Sequence, residues 1–203
     1  SVLRDCGAVG PKATVLAVRH DSLSEGVGMM GTVSRLHLDF AVEGDGPRSL
    51  ILKSASEAPM SRKVAAKFRL YEREVNFYVG LGEALEPAVP HAHFAQYAPE
   101  TVDYAILMED FDGYCTGDQV VGADIDQAHR AVEALARFHA QYWNRVDDSA
   151  LSWVPSTNSE LVRESMIEGC LAGWDKMVDL FADLLPERLK ESKGAYLSRL
   201  PAL

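Results

Sequence analysis

The feature that most constrains the fold is a stretch of strict alternation at residues 34–40. Every second residue of this segment (SRLHLDF) is apolar and the residues between are polar or charged, which is typical of a half-buried antiparallel strand. An apolar segment at residues 13–19 precedes it. Turn residues at 43–47 (EGDGP) lead to residues 49–54 (SLILKS), which return as a further strand. The sequence therefore predicts a β-meander.

The segments that follow change the periodicity. Residues 60–81 carry apolar side chains at spacings of three and four, which predicts one amphipathic helix. Residues 89–97 and 103–108 are expected to form two more strands. Strands with one helix come first and helices follow, so the predicted fold class is α+β.

The second half of the chain is predicted to be helical. Apolar residues at 125–142 repeat at spacings of three and four, with Asp124 as the N-cap, and His139 falls on the stripe expected to be buried. Residues 159–203 are expected to form two or three helices. The Gly- and Asp-rich stretch between these parts is the best linker, so we divide the chain into residues 1–109, 110–123 and 124–203.

Charge and composition exclude several classes of function. The formal net charge is −10, and it divides into −1 for residues 1–100 and −9 for residues 101–203. Such acidity argues against a nucleic-acid partner, whose phosphates require a basic face. No run of about 18 apolar residues exists, so no membrane partner is expected. Three cysteines without metal-ligand spacing (Cys6, Cys115 and Cys170) fit reduced thiols and a cytoplasmic protein.

A glycine motif, GVGMMG, joins the first two predicted strands. Its glycines are Gly26, Gly28 and Gly31. A nicotinamide-dependent oxidoreductase would need a helix to begin here, at residues 32–40, because the helix N-terminus holds the pyrophosphate. An alternating strand follows instead. A glycine loop between antiparallel strands is the geometry of a kinase phosphate flap, in which backbone amides approach the phosphates.

Lys53 is the candidate phosphate-binding lysine. It lies in SLILKS beside Ile51 and Leu52, which are apolar enough to cover its stem. In a kinase such a lysine bridges the α- and β-phosphates and is held by a helix glutamate. Glu72 and Glu74 compete for that role. At 100° per residue Glu74 shares the apolar side of the predicted helix, so we choose Glu74.

The segment ILMEDF at residues 106–111 follows the last predicted strand. Between a β-rich and a helical part it would serve as a hinge, with the C=O of Glu109 and the N–H of Phe111 facing adenine. His91 and His93 lie two apart without further Cys or His nearby, and we predict no metal site in this chain.

Four segments in this order resemble the aminoglycoside-phosphotransferase superfamily, and especially its ecdysteroid-kinase-like branch. They are the strand lysine Lys53, REVNFY at residues 73–78, LMEDF at residues 107–111 and LARFHAQYW at residues 135–143. The resemblance covers about residues 14–145. It implies a protein-kinase-like fold, in which residues 1–109 are the nucleotide-binding N-terminal lobe, residues 110–123 the hinge and linker, and residues 124–203 the beginning of a helical C-terminal lobe.

The function implied by the resemblance is phosphorylation of a hydroxyl on a small-molecule acceptor, with ATP and Mg²⁺. Family members carry a later H-G-D-x-x-x-x-N loop with the catalytic Asp, and this sequence has none. We therefore expect no catalytic residue here, and a chain that is truncated relative to the family and inactive alone. The alternative is a pseudokinase or regulatory module that binds nucleotide or a partner without catalysis.

Overall fold

The computed structural model describes residues 2–23, 30–85, 89–111, 117–118, 120–145, 147–156 and 159–199. The chain forms two compact units, Ser1–Trp153 and Val154–Leu203. In the described ranges we find no helix with the length and apolar character needed to cross a membrane.

In the part of the first unit that the structure describes, five antiparallel strands form one sheet. They are β1 (Val15–Ser22), β2 (Gly31–Phe40), β3 (Ser49–Ala55), β4 (Ala92–Ala98) and β5 (Asp103–Glu109). Their order across the sheet is β1-β2-β3-β5-β4, so β1, β2 and β3 form the predicted meander. The alternating segment lies within β2. The helix that the oxidoreductase alternative requires at residues 32–40 is therefore not formed.

The helical segment after β3 differs from the prediction. One helix was expected over residues 60–81, and the chain instead forms α2 (Pro59–Lys67), α3 (Leu70–Phe77) and a π-helical turn (Tyr78–Gly82). The break lies at Arg69, whose φ of 52° is left-handed and cannot continue an α-helix. Since Arg69 is neither Gly nor Pro, the apolar spacing contained no signal for the break.

Both faces of the sheet are covered. Successive residues of a strand point to opposite faces, so the apolar side chains of the sheet contribute to two separate clusters. One cluster joins Leu38, Leu50 and Leu107 to an N-terminal segment that follows a short helix α1 (Val2–Asp5). The opposite cluster joins Ile106 and Met108 of β5 to the helices after β3. Leu50 and Ile106 are fully buried, one in each cluster, and each contributes about 2 kcal/mol through burial of its side chain.

The rest of the first unit contains α4 (Ile125–Gln141). Asp124 caps it as predicted, since its carboxylate accepts the N–H of Gln127, whose side chain accepts the N–H of Asp124 in return. The expectation of a buried stripe is wrong, because no residue of α4 is buried and His139 is exposed.

The second unit is helical. Its described helices are α5 (Glu160–Leu180), α6 (Glu187–Lys190) and α7 (Lys193–Leu197), which agrees with the two or three expected. Trp174 of α5 is buried and its ring lies 5.6 Å from that of Tyr196. Contacts of this kind pack α7 against α5.

Candidate nucleotide-binding site

Strand β3 directs Lys53 toward α3. Ile51 and Ala55 pack on the cluster that contains the buried residues of α3. Lys53 lies midway between them on β3, so its side chain points to the same face of the sheet. The Lys53 Nζ donates a hydrogen bond to the Glu74 Oε1 in an ion pair. The predicted lysine and the chosen glutamate are therefore in contact, and their role in binding phosphate stays a prediction.

The Lys53–Glu74 pair is open to solvent on one side. The side chain of Lys53 is 30% exposed and that of Glu74 is 28% exposed. An ammonium group has three N–H donors, so the hydrogen bond to Glu74 leaves donors for an anion. The pair has the geometry of a lysine that is held in place and can still receive a phosphate.

Glu72 has a different partner, although it lies only two residues from Glu74. The Arg69 guanidinium donates two hydrogen bonds to the Glu72 carboxylate, at 2.7 and 2.6 Å. The hydrogen bond from Arg69 lowers the pKa of Glu72. This pair forms where α3 begins, so Glu72 pairs with Arg69 whereas Glu74 pairs with Lys53.

Two phenols feel the charge of the Glu74 carboxylate, namely the buried Tyr104 and the half-buried Tyr78. Burial raises the pKa of Tyr78, and the negative charge of Glu74 raises it further. Burial also raises the pKa of Tyr104, with added contributions from the charge of Glu74 and a hydrogen bond to it. Both phenols stay neutral at physiological pH, so neither adds a negative charge that would compete for Lys53.

Of the three predicted loop glycines, only Gly31 lies in the described residues. Gly26 and Gly28 lie outside them. Gly31 begins β2 and pairs with Ala55 of β3, two residues beyond Lys53. The end of the glycine motif therefore lies one strand away from the Lys53–Glu74 pair.

The predicted hinge begins at the end of β5. The Glu109 N–H donates to the carbonyl of His91, and the Glu109 carboxylate accepts the N–H of His91. Phe111 is partly buried. The structure describes the backbone of the hinge as far as Phe111, and residues 112–116 lie outside the described ranges. The use of Glu109 and Phe111 to bind adenine stays a prediction.

Asp110, between these two residues, holds the start of the hinge against the sheet. Its carboxylate accepts hydrogen bonds from Arg35 at 2.6 and 3.1 Å and from Ser49 at 2.7 Å. Burial pushes the pKa of Asp110 upward, but the hydrogen bonds from Arg35 and Ser49 outweigh it and the pKa lies below its ordinary value.

The two histidines near the hinge contact each other. The rings of His91 and His93 lie 4.8 Å apart, edge to face. Burial lowers the pKa of His93, the neighbouring His91 lowers it further, and Glu109 opposes both. Within the described ranges we find no group of three or more His, Cys, Asp or Glu side chains placed to hold a metal ion.

Sequence reasoning missed three residues that organise this region, namely Tyr71, Tyr104 and Asp110. Tyr71 was visible as part of an amphipathic stripe and Tyr104 as part of a strand, but the partners of their hydroxyl groups were not. Asp110 lies in the segment predicted as the hinge, yet nothing in the sequence indicated its ion pair with Arg35.

The antiparallel sheet, the helices that follow β3 and the strand–helix Lys–Glu pair are compatible with a protein-kinase-like fold. The model of the ecdysteroid kinase-like family, which is part of the protein-kinase-like superfamily, matches residues 25–191. The chain therefore belongs to the ecdysteroid kinase-like family. A search of curated proteins returned no match.

Proposed function

We propose that this chain binds ATP beside the Lys53–Glu74 pair and that its protein is an ATP-dependent small-molecule O-phosphotransferase. The observation that carries the proposal is the ion pair between β3 and α3. The chain belongs to a kinase-like family, and in kinases a Lys–Glu pair of this kind positions the phosphates for phosphoryl transfer.

In this proposal each part of the site has one task. The glycine motif that ends at Gly31 covers the phosphates with backbone N–H groups, and Lys53 donates to the α- and β-phosphates. Glu74 keeps the ammonium group of Lys53 directed at them. The hinge at Glu109 and Phe111 receives the adenine edge through backbone groups.

The described residues fit the nucleotide better than they fit a metal ion. Lys53 supplies a cation with free donors, whereas no cluster of carboxylates in the described ranges is arranged for Mg²⁺. In kinases Mg²⁺ is held by one or two protein side chains together with the substrate phosphates, and it would supply charge neutralisation there. We therefore place Mg²⁺ on the phosphates of the nucleotide. The proposed acceptor of the phosphoryl group is a hydroxyl group of a small molecule.

Titration of the chain with MgATP in a calorimeter tests this proposal. Lys53→Ala should weaken binding at least about tenfold because it removes a charge-assisted hydrogen bond to phosphate. Glu74→Gln should weaken it by a smaller factor, since Lys53 remains but is held less firmly. Lys63→Ala, which removes an exposed cation from α2, is the matched control and should stay within about twofold of wild type.

Two results would oppose the proposal. One is a wild-type chain that does not bind MgATP. The other is equal loss of affinity in Lys53→Ala and Lys63→Ala, which would show a general effect of charge and no specific site.

A further inference from the structure

The hydroxyl group of Tyr71 lies where three segments of the chain meet. Tyr71 is 2% exposed. Its hydroxyl donates a hydrogen bond to the carbonyl of Met30 at 2.6 Å and accepts one from the N–H of Ser56 at 3.1 Å. A phenol has one proton to donate and lone pairs to accept with, so this hydroxyl both donates and accepts in a buried position.

Each of the three segments carries a part of the proposed phosphate site. Met30 directly precedes Gly31 at the end of the glycine motif. Ser56 follows Lys53 by three residues, immediately after the end of β3. On α3, Tyr71 precedes Glu74 by three residues, so the two side chains lie on the same face of the helix. One hydroxyl therefore connects the glycine motif, the lysine strand and the glutamate helix.

Tyr104 fixes the position of the Tyr71 ring. The two rings are stacked, with centroids 4.3 Å apart and planes inclined by 16°. A Cβ atom on Gly31 would lie 2.8 Å from the Tyr104 hydroxyl oxygen and 3.0 Å from the carbonyl oxygen of Ser54. The first distance is shorter than real Cβ contacts and the second is tighter than most of them, so a side chain at position 31 would have to displace Tyr104.

We propose that Tyr71 is a positioning residue for the phosphates of the bound nucleotide. Its hydroxyl holds the Met30–Gly31 end of the glycine motif at a fixed separation from Lys53 and Glu74. A loop end that is already fixed loses less conformational entropy when a ligand binds, and the smaller entropy loss makes binding tighter. This inference rests on the proposed binding of ATP and adds a residue that contacts no substrate.

Tyr71→Phe in the complete chain tests the inference, because it keeps the ring and its stacking and removes only the hydroxyl. The measurement is the affinity for MgATP and for adenosine, which lacks phosphates. We expect MgATP to bind about tenfold more weakly and adenosine to change less than about twofold. A purely structural role would lower the melting temperature and leave the ratio of the two affinities unchanged.

Tyr97→Phe is the matched control, since Tyr97 packs against the same cluster from β4 and pairs in register with Tyr104. Its affinity ratio should equal that of wild type. If wild type and Lys53→Ala behave as proposed above but Tyr71→Phe keeps the wild-type ratio, the positioning role is wrong and the ATP site stands. If wild type does not bind MgATP, the proposed function fails and this inference fails with it.

Hydrogen exchange in the wild-type chain provides a measurement that does not depend on whether Tyr71→Phe folds. The N–H of Ser56 donates to the Tyr71 hydroxyl, so its exchange reports on that contact. MgATP should slow exchange at Ser56 together with the first residues of β2. Protection of β2 with no change at Ser56 would contradict the coupling.

Discussion

At the scale of single residues, Asp110 is a buried carboxylate that joins three strands. It follows the end of β5, and its partners Arg35 and Ser49 lie on β2 and β3. The side chain of Asp110 is 4% exposed and that of Arg35 is 34% exposed. Since Arg35 keeps part of its hydration, the pair loses less solvation than a fully buried one, and we expect a net contribution to stability.

Asp110→Asn should therefore destabilise the chain by about 2 kcal/mol at pH 7, because it removes the charge that offsets Arg35. The folded-state pKa of Asp110 lies below its ordinary value of about 4, so the folded state binds fewer protons than the unfolded state. This stabilisation is present above pH 4 and is lost as the pH falls through the folded-state pKa. Urea unfolding at several pH values measures it.

The control for this prediction is Asp39→Asn, which breaks the exposed pair between Asp39 and Arg19. That change should cost less than about 1 kcal/mol at pH 7. A difference between wild type and Asp110→Asn that stays constant from pH 7 to pH 3 would contradict the assignment to an ionised Asp110.

Residue positions that follow from local periodicity were accessible to sequence reasoning. Lys53 was placed on a strand by the preceding turn and by its apolar neighbours, and Glu74 on the apolar side of a helix by periodicity. In the structure the two side chains meet. The contacts of Tyr71 were not accessible, because its hydroxyl partners lie 41 and 15 residues away in the chain. The backbone groups that bind a phenol are determined by how the strands and helices pack together. The spacing of residues in the sequence does not identify them.

At the scale of elements, α4 shows what a helix pattern can and cannot predict. Its start was correct because an N-cap is local chemistry between Asp124 and Gln127. Its buried stripe was wrong, with Val132 64% exposed and Leu135 50% exposed. Apolar periodicity identifies the face of a helix that favours burial, but burial itself needs a second surface.

Because no residue of α4 is buried, its stability should depend strongly on its cap. Asp124→Ala removes the acceptor for the Gln127 N–H and should cost about 1 kcal/mol of local helix stability. The Gln127 amide and the amides of the following turn of α4 should then exchange hydrogen about fivefold faster. Glu133→Gln, on the exposed middle of α4, is the control and should change these rates less than twofold. Unchanged rates in Asp124→Ala would show that the cap does not govern the helix.

The segment between β3 and β4 was predicted less well than the strands. The strands follow from alternation and turn residues, whereas the break between α2 and α3 depends on the left-handed backbone of Arg69. Such a conformation is uncommon for a residue with a side chain, so local preference did not predict it. The sheet order, with β5 between β3 and β4, likewise depends on pairing between distant segments.

At the scale of the whole molecule, the charge of the chain opposes an anionic ligand. The net charge is −10, and ATP carries several negative charges of its own. In the proposed ATP site, long-range attraction would therefore not recruit the nucleotide, and the affinity would have to come from local donors. Lys53 is the cation that the fold places beside Glu74 and one strand from Gly31.

Chemical labelling of Lys53 tests this central claim most directly. An ATP analogue with an acyl group on its terminal phosphate transfers that group to a lysine amine held beside the phosphates. Peptide mass spectrometry of the labelled chain then identifies the acylated lysine. We expect preferential acylation of Lys53, and protection by excess MgATP but not by adenosine. Acylation spread evenly over Lys53, Lys63 and Lys67, or labelling of Lys53 that MgATP does not reduce, would contradict a phosphate site at Lys53.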